Sequence, residues 1–222
     1  MGFLEIKKLS FSYKENGKEK TILHNFNLEI PQNKISLLYG QSGLGKTTLL
    51  NLIGGLLKAQ EGEIIFQDKN VCNFTNKELE EYRANYIGYI FQMFYLIPQL
   101  TCVDNVIIGM KRLKASYEIK KKRALEILKS LGIEECGGAY PEYLSGGQQQ
   151  RVAIARAVAN ESELILADEP TGNLDETSAM EVFRILEDLR LKGKTIVIVS
   201  HDEKAKHISE NTIDFNKLIL GE

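Results

Sequence analysis

The sequence predicts an α/β fold with a parallel β-sheet at its centre, and three apolar runs are the basis of that prediction. Residues 34–39, 164–168 and 195–199 are short, largely apolar, and end at a polar or glycine-rich turn, as buried parallel strands do. A helical pattern precedes the third run, and its buried face comprises Val182, Phe183, Ile185, Leu186 and Leu189. We expect the run at 195–199 to be the last buried strand.

The first part of the chain predicts a smaller, antiparallel β subdomain. Residues 3–13 and 26–30 have strand patterns, and the polar residues 14–18 between them predict a turn. In the second of these strands apolar and polar residues alternate, as they do on a half-buried strand. Residues 62–67 predict a further strand.

The middle of the chain predicts a helical subdomain inserted into the α/β core. Strand signals end after Gln92, and helical periodicity replaces them, with a leucine stripe over residues 125–131 that a glycine terminates. We therefore expect a single domain. Its α/β core would comprise residues 1–92 and 157–222, and its helical subdomain would comprise residues 93 to about 156.

Composition and charge narrow the classes of function. A formal net charge of −2 and a pI near 6.0 argue against a nucleic-acid surface, so we expect no nucleic acid partner. Cys72, Cys102 and Cys136 stand far apart and indicate a reducing cytosol rather than a zinc or disulfide framework. With neither a signal peptide nor an apolar stretch of ~18 residues, we expect a cytoplasmic chain that reaches a membrane only through another protein.

A glycine-rich stretch follows the first predicted strand of the parallel sheet. It fits G-x-x-x-x-G-K-[ST] without a mismatch, as Gly40, Gln41, Ser42, Gly43, Leu44, Gly45, Lys46 and Thr47. Its N–H groups, and the helix that continues from Thr48, would converge on a phosphate chain. Lys46 would reach the β- and γ-phosphates, and the Thr47 hydroxyl would bind Mg²⁺. A chance lysine in a strand-to-helix turn is the alternative, but strand and helix are both in place, so we interpret the stretch as a nucleoside triphosphate site.

Two adjacent acids, Asp168 and Glu169, end the second apolar run. A carboxylate at the C-terminal end of a strand beside a P-loop is placed to hold Mg²⁺. A second carboxylate after it can accept a proton from an attacking water. We assign Asp168 to the metal and Glu169 to the general base. Taken without the P-loop, such acids are more often solvated caps of a strand end.

A second candidate phosphate site opens a helix later in the chain, at Ser145, Gly146, Gly147 and Gln148. Ser-Gly-Gly before a helix exposes N–H groups and the positive end of the helix dipole, which suit a phosphate. Since the chain has one P-loop, this second site suggests a nucleotide held between two chains. The alternative is an ordinary serine cap followed by two flexible glycines.

The string LSGGQ at residues 144–148 resembles the signature of ABC-type ATPases, and the resemblance covers nearly the whole chain in the right order. It implies a P-loop NTPase fold of the ABC type, with a RecA-like core, that hydrolyses ATP with Mg²⁺. By the same resemblance Tyr13 would stack on the adenine, and Gln92 would contact the Mg²⁺ and its water. Asp175 would belong to the D-loop of the nucleotide site, and His201 would bond the γ-phosphate and hold the water and Glu169 in position.

Within that family, residues 91–106 and 144–156 look like the branch of lipoprotein-releasing and macrolide- or peptide-export ATPases. The resemblance implies a homodimer with ATP between its chains, at the inner face of a membrane. A separate permease would dock near residues 92–96, and the work would be export or mechanical work beyond the membrane. Two alternatives stay open, namely an envelope signalling or division module and a soluble ABC ATPase that acts on DNA or ribosomes.

Overall fold

The computed structural model describes residues 2–15 and 17–220, which form two β-sheets and the helices that cover them. The strands are β1 (Leu4–Glu15), β2 (Lys18–Ile30), β3 (Ile35–Tyr39), β4 (Glu61–Phe66), β5 (Lys69–Asn70), β6 (Ile87–Phe91), β7 (Leu164–Asp168), β8 (Thr195–Ser200) and β9 (Asn211–Asp214). The helices are α1 (Lys46–Ile53), α2 (Asn76–Tyr86), α3 (Cys102–Gly109), α4 (Tyr117–Ser130), α5 (Gly146–Val158), α6 (Glu176–Leu191), α7 (Ala205–Ile208) and α8 (Phe215–Leu220).

The parallel sheet has the strand order β6-β7-β8-β3-β9. Its three central strands are the three apolar runs of the sequence, so the α/β prediction is confirmed. Parallel strands buried on both faces need apolar side chains pointing both ways, which is why these runs are almost continuous. The parallel pairing also brings the carboxyl ends of β3, β7 and β8 together at one edge of the sheet.

The second sheet is antiparallel in the order β2-β1-β4-β5, as expected for the first part of the chain. The prediction that its second strand begins at residue 26 is wrong, because β2 begins at Lys18. Its first residues are polar and exposed, and they are held by backbone pairing with β1. A pattern of buried residues cannot reveal that extension. It places Lys20 directly opposite Tyr13.

Residues 195–199 form the last buried strand, as expected, but the partly exposed strand after it was not predicted. This strand, β9, pairs in parallel with β3 at the edge of the sheet. Its sequence, NTID, has one large apolar residue, and an edge strand of four residues needs no continuous apolar run. The following α8 packs its Phe215, which is fully buried, against Phe26 of the antiparallel sheet.

Successive residues of the parallel strands serve two different cores. Leu38 and Leu166 belong to the core between the sheets, which α1 also fills. Their neighbours Leu37 and Ile165 point the other way, into the core shared with α6. This alternation along each strand fixes which side chains can reach each side of the sheet.

Helices α3, α4 and α5 surround a third core, with Val106, Leu128 and Val152 among its fully buried members. The middle of the chain is therefore helical, while the boundaries of a subdomain at 93 and about 156 stay a prediction. Within residues 2–15 and 17–220, no helix is both long enough and apolar enough to span a bilayer.

Candidate active site

The P-loop connects β3 to α1 on the side of the sheet where the carboxyl ends of the central strands meet. Gly43 and Gly45 have φ values of 84° and 98°, a region that favours glycine, and a Cβ at Gly45 would collide with the Ile22 side chain. Lys46 is buried, and its Nζ donates hydrogen bonds of 2.7 Å to the carbonyl oxygens of both Gly40 and Gln41. The loop thus curls around the ammonium group that the sequence assigns to the phosphates.

Burial affects the two charges at the base of the P-loop in opposite directions. It lowers the pKa of Lys46, against the opposing influence of Glu169 and Asp168. It raises the pKa of Asp168, although the hydrogen bond from Thr47 acts in the other direction. Each group is therefore held where a compensating charge from a ligand would stabilise it.

Thr47 and Asp168 are brought together as the sequence predicts for a metal site. Thr47 Oγ1 donates a 2.9 Å hydrogen bond to Asp168 Oδ1. Gln92, the third predicted ligand, follows β6 and lines the same cleft as Thr47. A hydroxyl, a carboxylate and an amide oxygen are the hard donors that Mg²⁺ prefers, so these residues fit the metal.

Glu169 follows β7 with a φ of 45°, which is uncommon for a residue with a side chain. Its N–H donates to the Val199 carbonyl at 2.9 Å, which ties its backbone to β8. One carboxylate oxygen, Oε1, lies 2.8 Å from His201 Nδ1, and the other accepts a 3.1 Å hydrogen bond from Ser200 Oγ. The side chain of His201 is 62% exposed, whereas that of Glu169 is only 15% exposed.

The predicted catalytic residues line one open cleft of about 460 Å³. Its lining comprises Tyr13, Lys20, Ile22, Ser42, Gly43, Gly45, Lys46, Thr47, Thr48, Gln92, Glu169, Val199 and His201. Leu44, also in the P-loop, packs instead against the core between the sheets. The cleft therefore runs from the antiparallel sheet to the carboxyl ends of the central strands.

Tyr13, the predicted adenine partner, lies at the end of this cleft that is next to the antiparallel sheet. Its hydroxyl is 3.4 Å from Thr48 Oγ1, and its ring packs edge-on against Phe11 with the centroids 4.9 Å apart. Lys20 and Ile22 lie beside it and were not predicted as site residues. The register of the β1–β2 hairpin would have revealed Lys20, since Lys20 pairs with Tyr13.

The residues of the LSGGQ string lie outside this cleft in the described part of the chain. Ser145 caps α5 by a capping box: its Oγ accepts from the Gln148 N–H at 3.3 Å, and Gln148 Oε1 accepts from the Ser145 N–H at 3.0 Å. A Cβ at Gly147 would lie 2.6 Å from Ser178 Oγ, so α5 approaches α6 closely there.

Asp175 also lies outside the cleft and caps the neighbouring helix, α6. Its carboxylate accepts hydrogen bonds from the Ser178 N–H at 3.0 Å and from Ser178 Oγ at 2.7 Å. These bonds lower the pKa of Asp175. Most of the predicted site residues thus fall into two groups, one in the cleft and one at the N-termini of α5 and α6, whereas Gly40, Gln41, Leu44 and Asp168 belong to neither group.

The chain is similar to known proteins in both sequence and fold. Residues 23–172 match a family model described as "ABC transporter". An uncharacterised ABC transporter ATP-binding protein of Methanocaldococcus jannaschii is 42% identical over 189 residues, which is 85% of this chain and 84% of that protein. The macrolide export ATP-binding/permease protein MacB of Pasteurella multocida is 41% identical over 90% of this chain. The chain spans only 31% of that relative's length.

A solved structure has the same fold. The dimeric structure of MJ0796, a bacterial ABC transporter cassette, matches with a TM-score of 0.88 and 40% identity, covering 95% of this chain and 93% of that one. A second structure of that cassette, a dimeric post-hydrolysis state with ADP and Pi, matches equally well.

Proposed function

Because the chain belongs to the ABC transporter family, we propose that it drives a separate membrane permease by closing and opening a two-chain ATP sandwich. As a cassette of this family the chain is an ATPase, with ATP and Mg²⁺ as its nucleotide and metal. One observation carries the proposal. The P-loop, Glu169 and His201 line one cleft, while the Ser145–Gly147 turn lies outside it, and in the proposed dimer a second chain would bring the two together.

In this proposal the cleft binds ATP along its length. Tyr13 would stack on the adenine, while the N–H groups of residues 40–48 and the Lys46 ammonium would hold the phosphates. Thr47, Asp168 and Gln92 would hold Mg²⁺, which when bound neutralises charge on the β- and γ-phosphates. The pKa shifts of Lys46 and Asp168 support this, because burial removes solvation from both charges. The phosphates would compensate Lys46, and Mg²⁺ would compensate Asp168.

Hydrolysis would use the acids and bases at the ends of β7 and β8. Glu169 would accept a proton from the attacking water while the water oxygen forms a bond to the γ-phosphorus. The bond from the γ-phosphorus to ADP would break, and ADP would leave. His201 would turn to the γ-phosphate and orient the water, as its exposure allows. Positioning and charge stabilisation would supply most of the rate enhancement, since the protein forms no covalent bond.

Closure would place the Ser145, Gly146 and Gly147 turn of one chain on the ATP of the other, with Asp175 and Gln148 beside it. A two-fold dimer makes both sites identical. Loss of the γ-phosphate, which both chains would grip, would release them. The dimeric form of the similar cassette supports this assembly.

The permease would dock at the loop after β6. Met93 and Tyr95 there are each 63% exposed, and Phe94 and Tyr95 have positive φ values of 58° and 46°. A groove of about 420 Å³ adjoins Tyr95 and is lined in part by Leu56 and Ile108, which are also exposed. Apolar side chains displayed on a strained loop are typical of a protein interface. Docking would hold the cassette at the inner face of the membrane, where it would drive export or mechanical work.

A pull-down from detergent-solubilised membranes tests this function. Tagged Glu169→Gln protein with ATP should hydrolyse slowly, accumulate as the closed dimer, and retain a polytopic membrane protein. The matched control is Glu169→Gln combined with Tyr95→Asp, which places a charge on the docking loop and should lose that protein while still forming dimers. Recovery of only soluble proteins, ribosomes or DNA would refute the transporter assignment, and undiminished turnover by Glu169→Gln would refute the base assignment.

A further inference from the structure

We propose that Ser200 is a positioning residue for ATP hydrolysis, which holds the Glu169 carboxylate in place while His201 moves. The inference rests on the proposed role of Glu169 as the general base. Ser200 is the last residue of β8 and is fully buried. No sequence motif assigns a role to its side chain.

The hydrogen bonds of Ser200 fix the direction of its hydroxyl. Ser200 Oγ accepts from the Asp202 N–H at 3.0 Å and lies 3.1 Å from Glu169 Oε2. An amide nitrogen donates and a carboxylate accepts, so the single hydroxyl proton points at Glu169. Ser200 therefore supplies a charge-assisted hydrogen bond to the carboxylate from a site that solvent does not reach.

Two consecutive residues of β8 hold Glu169. The Val199 carbonyl accepts its N–H, and the Ser200 hydroxyl binds its side chain. The φ of 45° at Glu169 is a conformation that persists only where the surroundings impose it. The end of β8 therefore holds both the backbone and the carboxylate of Glu169.

The two oxygens of the carboxylate have different partners, which suggests a division of roles. Oε1 is bound by the exposed His201, and Oε2 by the buried Ser200. When His201 turns to the γ-phosphate, Oε1 is released to accept the proton of the water. Ser200 keeps Oε2 fixed during that exchange, so the base does not swing away as it becomes free.

Steady-state kinetics of Ser200→Ala test the proposal, with Ser200→Thr as the rescue. We expect kcat to fall roughly 10- to 100-fold in Ser200→Ala, because a misplaced base loses a rate factor of that size. KM for ATP should stay within about twofold, because binding does not use the hydroxyl. Ser200→Thr keeps the hydroxyl and should recover most of kcat.

A matched control separates positioning from a general effect on the fold. Ser36 is an equally buried serine in the neighbouring β3, and its Oγ accepts a 3.1 Å hydrogen bond from Asn211 Nδ2. Ser36→Ala should leave kcat unchanged although it loses a buried hydrogen bond. Equal losses of kcat in Ser36→Ala and Ser200→Ala would overturn the proposal.

The double variant Ser200→Ala/Glu169→Gln tests whether Ser200 acts through Glu169. Its single-turnover rate should equal that of Glu169→Gln alone, because the carboxylate that Ser200 positions is gone. A further loss in the double variant would refute the proposal. Unchanged kcat in Ser200→Ala beside a slow Glu169→Gln would also refute it while leaving the base assignment intact. Full turnover in Glu169→Gln would instead refute the proposed function itself.

Discussion

At the scale of single residues, Lys46 and Asp168 have opposite charges close to the P-loop, and burial disfavours the charged form of both. The pKa of Lys46 is lowered and that of Asp168 is raised, although each charge partly compensates the other. Polar groups that cost stability in the empty protein are common where a ligand will compensate them. The free energy of unfolding of the nucleotide-free chain is therefore expected to be lower than it would be without these two buried charges.

Replacing Asp168 by Asn should stabilise the nucleotide-free protein. Because the folded state raises the pKa of Asp168, this group favours folding most below its unfolded pKa, and that contribution is lost as pH rises through the folded value. At neutral pH its charge therefore opposes folding. We expect a melting temperature about 2–4 °C higher in Asp168→Asn, the shift that ~1 kcal/mol gives in a chain of this size.

Thermal melts at pH 7 and at pH 4 check this. The gain should shrink at pH 4, where Asp168 is closer to its protonated form. Added Mg²⁺ and ATP should stabilise the wild type more than the variant, because Asn binds Mg²⁺ less well. A variant that melts below the wild type at pH 7 without nucleotide would contradict the electrostatic explanation.

Sequence motifs predicted most of the cleft residue by residue, and what they missed has a physical cause. Parallel pairing brings the carboxyl ends of the strands together. Asp168 ends a strand, and the P-loop, Glu169 and His201 each directly follow one. Lys20 lies at the cleft because the hairpin register places it opposite Tyr13. Ser200 contacts Glu169 because its hydroxyl proton points at that carboxylate. Register and hydroxyl direction are properties of the folded backbone, which no local pattern encodes.

At the scale of elements, α5 contacts both loops that border the cleft. Near its start, Gln150 is fully buried and donates a 2.6 Å hydrogen bond to the Pro170 carbonyl, next to Glu169. Near its end, Arg156 donates to the carbonyls of Phe94 and Tyr95, at 2.6 Å for Phe94. Helix α5 thus links the Glu169 turn, the LSGGQ turn and the loop at residues 93–97.

Arg156→Ala should loosen the loop at residues 93–97 while leaving the cleft intact. The guanidinium binds two carbonyls of residues that have positive φ, so its loss removes two hydrogen bonds that hold a strained turn. We expect amide exchange at residues 94–97 to become at least about tenfold faster, which corresponds to ~1.4 kcal/mol. Arg156→Lys, which cannot form the same fork, should give an intermediate rate.

Hydrogen exchange by mass spectrometry measures this directly. ATP affinity provides the internal control, because Arg156 does not line the nucleotide cleft in the described structure. Unchanged exchange at residues 94–97 in Arg156→Ala would show that the loop holds its conformation without this helix.

The elements themselves were predictable where burial leaves a pattern. The central strands and the buried face of α6 follow from apolar periodicity. The start of β2 and the whole of β9 were missed because backbone pairing holds these partly exposed, polar segments. Edge strands and hairpin extensions leave little trace in a hydrophobic pattern.

At the scale of the whole molecule, the proposed site residues lie on two surfaces of one chain. Lys46, Glu169 and His201 line the cleft, and the turn at the start of α5 lies outside it. This turn is an ordinary capping box in structural terms, so its chemistry depends on what faces it. In the proposed head-to-tail dimer, each cleft would receive the partner's turn, and the two surfaces would then form one site.

Mixing two inactive variants measures this claim most directly. Lys46→Ala removes the P-loop lysine, and Gly146→Asp puts a carboxylate where the partner's phosphates would lie. A Cβ at Gly146 would lie 3.5 Å from Leu174 Cδ2, an ordinary contact, so this variant should fold. Each variant alone should hydrolyse ATP very slowly.

In an equimolar mixture, half of the dimers should contain one chain of each kind and so one complete site. ATPase activity should therefore return to about a quarter of the wild-type rate per chain, since a two-fold dimer has two equivalent sites. A mixture that forms mixed dimers yet stays as inactive as its components, or a Gly146→Asp chain that is fully active alone, would contradict a site shared between two chains.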